Sequence, residues 1–279
     1  MPLKGVILKD MYPKRGMRQM ADNDILLDGD FRSEVAEFMK NSGYTVEKFG
    51  KGNHDMYLKP PIYNFEMHIG LYKEHYNKEW CLYYENIKER LLKDDGNLFG
   101  YHFNDEDFYL YLISHEFKHY NSGGTGLRSL LDCFIFLREK ESKMNWDYIE
   151  TELNKLKILD FEKRNRNLSQ KIFASEICTE LSAEEKKMLE YILASGAHGT
   201  FERVIENKFN DTNMSKIKYI WKRLFPNMDF YKKYYPFAYR NKWAIPFAWI
   251  FRLVRGLTFK RKGVNGEIKV VSNLKQKKQ

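Results

Sequence analysis

The stretch Arg18-Gln19-Met20-Ala21-Asp22-Asn23-Asp24-Ile25-Leu26-Leu27 sets two carboxylates two positions apart, directly before a short apolar run. The run Ile25-Leu26-Leu27 reads as a strand. Side chains alternate faces along a strand, so Asp22 and Asp24 point the same way. Two carboxylates side by side repel each other unless a cation sits between them. A hard divalent ion that prefers oxygen ligands, Mg²⁺ or Mn²⁺, suits that arrangement. The same pattern also occurs in turns and at exposed sheet edges, so the surrounding residues decide its meaning.

Outward from this stretch, a third carboxylate on a neighbouring strand would complete a site for two ions about 3.5–4 Å apart. Glu66 is the candidate. It lies in Asn64-Phe65-Glu66-Met67-His68, where an unneeded charge would be costly in a partly buried strand. His68, two residues on, shares its face. Phe31 to Ser42 reads as a helix, with Val35, Phe38 and Met39 at helical spacing and Gly43 as its stop. Tyr44 to Phe49, His54 to Leu58 and Tyr63 to Leu71 read as strands, the last two joined by the Pro60-Pro61 turn.

Beyond about residue 80 the pattern turns helical. Asn104 or Asp105 can cap a helix through Tyr120, and the glycine-rich stretch 121–126 breaks it. Leu127 to Lys143 and Trp146 to Lys157 read as the next helices. Ser182-Ala183-Glu184-Glu185 is a capping box that opens a helix through Ser195, ending near Gly196. Aromatic helices follow from about 213 to 257, and the last twenty residues are expected to fray. The expected fold is α+β: a small mixed-sheet domain over 1–75, an α-helical domain over 76–257, and a basic, mobile tail over 258–279.

The blocks Leu3-Lys4-Gly5, Tyr12-Pro13 and Arg18 to Leu27 together resemble the opening motif of a known family. It is the group of uncharacterised nucleotidyltransferases within the polymerase-β-like superfamily. Glu66-Met67-His68 looks like that family's acidic residue-x-His strand. His115, His119, Arg128 and Asp132 resemble its histidine-bearing helix followed by an R-x-x-x-D helix. Tyr235-Pro236 and the Pro246 to Arg255 stretch look like its C-terminal end. The resemblance implies metal-dependent transfer of NMP from an NTP, ATP or another, to an acceptor hydroxyl. It implies Asp22, Asp24 and Glu66 as catalytic metal ligands, with Asp22 and Asp24 on the nucleotide side and Glu66 completing the second ion's site.

In many superfamily members a Gly-Ser pair before the carboxylates cradles phosphates. Lys4-Gly5 is the nearest equivalent here, which makes both candidates for nucleotide contact. Arg18 reads as a phosphate ligand or a loop-fixing ion pair. Arg128 and Asp132, at i and i+4, read most simply as an intrahelical ion pair, or else as contacts to base or acceptor. His68 and His119 complete the candidate substrate contacts. Family members carry a helical stretch and a strand ahead of the LKG block, so an N-terminally shortened sheet is expected. A non-catalytic nucleotide-binding or interaction protein is then one alternative.

The other alternative is a zinc metallohydrolase. His115-Glu116-Phe117-Lys118-His119 is an H-E-x-x-H motif on an expected helix, two histidine ligands and a general base on one face. The metzincin extension fails at Ser122 and Thr125. Glu139, twenty residues past His119, remains as a third ligand.

Composition bounds the rest. Of 279 residues, 43% are hydrophobic and 16% aromatic, enough for a sizeable core. Cys81, Cys133 and Cys178 are widely spaced, which argues against a disulfide framework and a cysteine-based zinc site. No signal-peptide shape opens the chain, and no apolar run is long enough to span a bilayer, so a cytoplasmic location is expected. Residues 216–279 carry 17 Lys and Arg against Asp229 and Glu267, a net +15 that leaves −6 for residues 1–215 of the total +9. That end reads as a solvated face on aromatic helices, or as a contact for an anionic ligand or membrane surface. No nucleic-acid motif is recognisable.

Overall fold

The computed structural model describes residues 1–14, 16–73, 76–174, 180–196, 200, 203–205, 207, 209, 215–259 and 261–273. Four strands form one mixed sheet: β1 (Asn23–Leu26), β2 (Thr45–Lys48), β3 (His54–Lys59) and β4 (Tyr63–His68), in the order β1-β4-β3-β2. β1 runs parallel to β4, and the other two pairings are antiparallel. The register sets Asp24 opposite Glu66 and His54 opposite His68.

Period-two alternation divides this sheet chemically. Ile25, Phe65, Met67, Tyr57 and Val46 gather on one face against Ala36 and Met39 of α2 (Arg32–Asn41). Asp24, Glu66, His54 and His68 fall on the other, while Asp55 shares the α2 face and accepts from Arg32 at 2.6 Å. Phe38, expected on the inner stripe of α2, is 67% exposed. Ala36 and Met39, three residues apart, take the inner position instead. The first residues lie along β1. Pro2 bridges Ile25, the Leu3 amide donates to the Asp24 carbonyl at 2.9 Å, and α1 (Gly5–Leu8) follows.

The chain packs as two compact units, Met1–Phe117 with Leu127–Leu189, and Lys118–Gly126 with Glu190–Gln279. The boundary expected near residue 75 is therefore not where the packing divides. The reason lies in α4 (Asp105–Asn121), whose positions from Asp107 to Ser114 are all buried. A helix apolar all round needs cover on every side. In the first unit Tyr72 meets Ser114 at 2.6 Å, and Trp80 of α3 (Lys78–Tyr83) packs on Tyr72 and Phe117. α5 (Leu127–Lys140), α6 (Trp146–Lys155) and α7 (Leu159–Phe173) close the far side through Phe136, Trp146 and Phe161.

The caps follow the sequence. Asn104 accepts the Asp107 amide at 2.7 Å. At the start of α8 (Ala183–Ser195), Glu185 accepts the Ser182 amide at 2.7 Å and Ser182 accepts the Glu185 amide at 3.2 Å. In the second unit, residues expected to form a mobile tail instead form the helix Arg261–Asn273. It is held because Glu267 accepts from Tyr219 at 2.7 Å and from Arg223 at 2.8 and 3.0 Å, and because Val271 is buried. Residues 274–279 and Cys178 lie outside the described residues. Cys133 is a buried free thiol. Among the described residues no helix is long and apolar enough to cross a membrane.

Candidate functional site

Asp22 immediately precedes β1, Asp24 sits on it, and Glu66 stands opposite on β4. Each of the three offers a carboxylate oxygen within 4.8 Å of the others. These are hard oxygen donors, two carried on hydrogen-bonded strands and one just before the first, and they fit a divalent cation such as Mg²⁺ or Mn²⁺. The electrostatics agree with the crowding. Burial raises the Glu66 pKa above the ordinary carboxylate value, and the charges of Asp24 and Asp22 raise it further.

Asp24 is buried and fully engaged. Burial alone would push its carboxyl up, but His68 and Lys4 hold it well below the usual carboxylate range. His68 Nε2 lies 2.8 Å from Oδ1, and Lys4 Nζ lies 2.8 Å from Oδ2. Lys4 reaches this point because the Leu3–Asp24 backbone bond brings the first turn over the end of β1. His68 Nδ1 is buried with no hydrogen-bond partner among the described residues, so Asp24 sets the ring's orientation.

His54 was not singled out in the sequence as a site residue. It faces His68 across β3 and β4 with ring centroids 5.0 Å apart, and its Nε2 lies 3.7 Å from Glu66 Oε2. His54, Glu66 and His68 form a second group with ligand atoms within 4.8 Å of one another. Burial lowers the His54 pKa to about 4, aided by the charges of His68 and Lys48, so the ring is neutral at pH 7. The alternation His54-x-Met56-x-Leu58 was the signal that could have placed it on the Glu66 face.

Gly5, Arg18 and Asp132 form one clamp. Arg18 donates to both oxygens of Asp132 at 2.8 Å, and the Tyr12 hydroxyl donates to the same carboxylate at 2.6 Å. The pair is nearly buried, with side-chain exposures of 8% and 7%. A β-carbon on Gly5 would come within 2.6 Å of the Arg18 guanidinium, so a residue without one lets Arg18 pass. Arg128 reaches the Gln19 carbonyl at 3.1 Å. The intrahelical Arg128–Asp132 pair expected from spacing is thus replaced by contacts to the loop that leads into Asp22. An i, i+4 spacing makes a pair available, but a partner with two donors in a buried place binds the carboxylate better.

The H-E-x-x-H residues go to different surroundings. His115 Nε2 lies 3.0 Å from Lys4 Nζ. Glu116 is buried in the helical core, where Asn165 donates to it at 3.0 Å, and burial pushes its pKa up to about 8. His119 lies on the exposed side of α4, in the second compact unit. Glu139 is exposed and pairs with Arg138 at 3.0 Å. Among the described residues they do not form one of the candidate ligand groups.

Residues 1–174 match a family model described as an uncharacterised nucleotidyltransferase. The match covers the sheet, the carboxylate cluster, the Arg18–Asp132 clamp and the helices through α7. No curated protein and no solved structure matches.

Proposed function

For a chain that belongs to the uncharacterised nucleotidyltransferase family, we propose metal-dependent transfer of NMP from an NTP to an acceptor hydroxyl at the Asp22–Asp24–Glu66 cluster. The observation that carries this reading is the convergence of those three carboxylates within 4.8 Å, two of them on paired strands and Asp22 just before the first. Asp22 and Asp24 would hold the ion on the nucleotide side and share a second ion on the acceptor side, whose set Glu66 would complete. A divalent ion bound there supplies neutralisation of the triphosphate and acidification of the attacking hydroxyl. The acceptor hydroxyl releases its proton to solvent as its oxygen bonds to the α-phosphorus, the bond from that phosphorus to the α–β bridging oxygen breaks, and pyrophosphate leaves.

The chain's own contribution is positioning and charge. His68 pins one oxygen of Asp24, which keeps the carboxylate ionised and in one orientation. Lys4 brings a cation to the same carboxylate, within reach of an incoming phosphate. The Tyr12–Arg18–Asp132 clamp is a positioning element. It ties the loop before Asp22 to α5, so that β1 presents both aspartates from a fixed backbone.

Calorimetric titration of ATP, GTP, CTP and UTP, with and without Mg²⁺, tests this on the wild type and on Asp22→Asn/Asp24→Asn. Binding that requires Mg²⁺ and disappears in the double variant supports the site and names the nucleotide. An acceptor screen read by pyrophosphate release then separates an enzyme from a protein that binds without turnover. If no NTP binds and the two proteins behave alike, the reading fails.

A further inference from the structure

The helix Ile245–Thr258 in the second unit leaves one apolar face uncovered. Phe247, Ile250, Phe251 and Val254 are 67%, 53%, 58% and 55% exposed. They stand at i, i+3, i+4 and i+7, a single stripe along the helix. Trp243, also exposed, extends the stripe by one turn. The opposite side is already used. Ile245 and Ala248 pack on Tyr231 and Ala238, and Trp249 donates to the Leu224 carbonyl at 2.8 Å while stacking on Phe225.

Charge tells what covers the exposed stripe. Arg240 and Lys242 precede it and Arg255 and Arg261 follow it, all four exposed. Residues 216–279 carry a net +15. Of their two acids, Glu267 is taken up by Arg223 and Tyr219, and Asp229 by Asn227. A second copy would bring one strongly cationic surface against another, which opposes self-association through this face. A nucleic acid would meet cations and aromatic rings, but Ile250 and Val254 offer its bases no stacking surface. A bilayer with anionic headgroups satisfies both features: the arginines and lysines meet phosphates, and the tryptophan, phenylalanine and aliphatic side chains enter the acyl boundary.

We propose that this face docks peripherally on an anionic phospholipid bilayer, with the helix Ile245–Thr258 lying in the plane of the interface. The inference does not depend on the nucleotidyl-transfer reading, because no carboxylate of that site takes part in it.

The test is co-sedimentation of the full chain with vesicles of phosphatidylcholine alone and of phosphatidylcholine with phosphatidylglycerol, at low and high salt. The wild type is expected to pellet with the anionic vesicles and to be released by salt, with its tryptophan emission shifted to the blue. Arg240→Gln/Lys242→Gln is expected to weaken partition about fivefold for each charge removed. Phe247→Ser/Phe251→Ser is expected to stay in the supernatant while keeping the wild-type circular dichroism. Failure of the wild type to pellet or to shift its emission overturns the proposal, and that measurement needs no variant. So does equal pelleting of the phenylalanine variant. A wild-type dimer that becomes monomeric in that variant would assign the face to self-association, and retention of RNA with no vesicle binding would assign it to nucleic acid.

Discussion

Asp24 concentrates the chemistry of the first unit, since one buried carboxylate is shared by Lys4 and His68 and stands opposite Glu66. Asp24→Asn should abolish the proposed Mg²⁺-dependent nucleotide binding, read by calorimetry, because it removes the charge that all these neighbours are arranged around. Asp132→Asn is a different kind of change. It strips the buried Arg18 guanidinium of its counter-charge, and breaking such a pair costs about 3–5 kcal/mol. Thermal unfolding should show that loss as a large fall in Tm. Glu116 gives a pH signature. Its folded carboxyl keeps its proton up to about 8, whereas the ordinary value is 4.5. Between those values the folded state binds more protons than the unfolded one, so this group's contribution to stability declines as pH rises. Glu116→Gln, which carries no ionisable proton, should flatten the decline of Tm across that window. An unchanged profile would remove Glu116 as its source.

Among the elements, the four strands and the capped helices were legible because each rests on local chemistry. The Ser182–Glu185 box formed as spaced, with the Glu185 carboxylate also taking Lys171 at 2.8 Å. Ser182→Ala should therefore lower stability by about 1 kcal/mol, measured by denaturant titration. The face of α2 was only partly legible. Val35, Phe38 and Met39 satisfy a helical period, but a window of that width admits either Phe38 or Ala36 on the inner side, and the sheet against it chose Ala36. The Arg261–Asn273 helix was missed for a similar reason. Its sequence, broken by Gly263 and Gly266, reads as solvated, and contacts from Tyr219 and Arg223 to Glu267, with the burial of Val271, order it.

At the scale of the molecule, α4 organises the first unit. Its run from Phe108 to Ile113 is buried at every position, and α5 and α7 cover it. Native-state hydrogen exchange should find the slowest amides of that unit in α4 and in Leu130–Leu137 of α5, with the edge strand β2 exchanging earlier. Early exchange throughout α4 would contradict its place at the centre of this core. The division into two compact units joins residues up to Leu189 to the sheet, and the α4 contacts of Trp80, Phe136, Trp146 and Phe161 lie within the first of them.

The sequence by itself determined the strands, the caps, the family and the shared face of Asp22 and Asp24. These depend on period-two alternation, on hydrogen-bonding residues three apart and on a motif confined to a few neighbouring positions. Tertiary structure alone decided the partners of Arg18, Arg128 and Asp132, the entry of His54 beside Glu66, the dispersal of the H-E-x-x-H residues and the limits of the compact units. Each of these joins groups far apart in the chain. Periodicity says which face a side chain occupies, but only packing says what stands across from it.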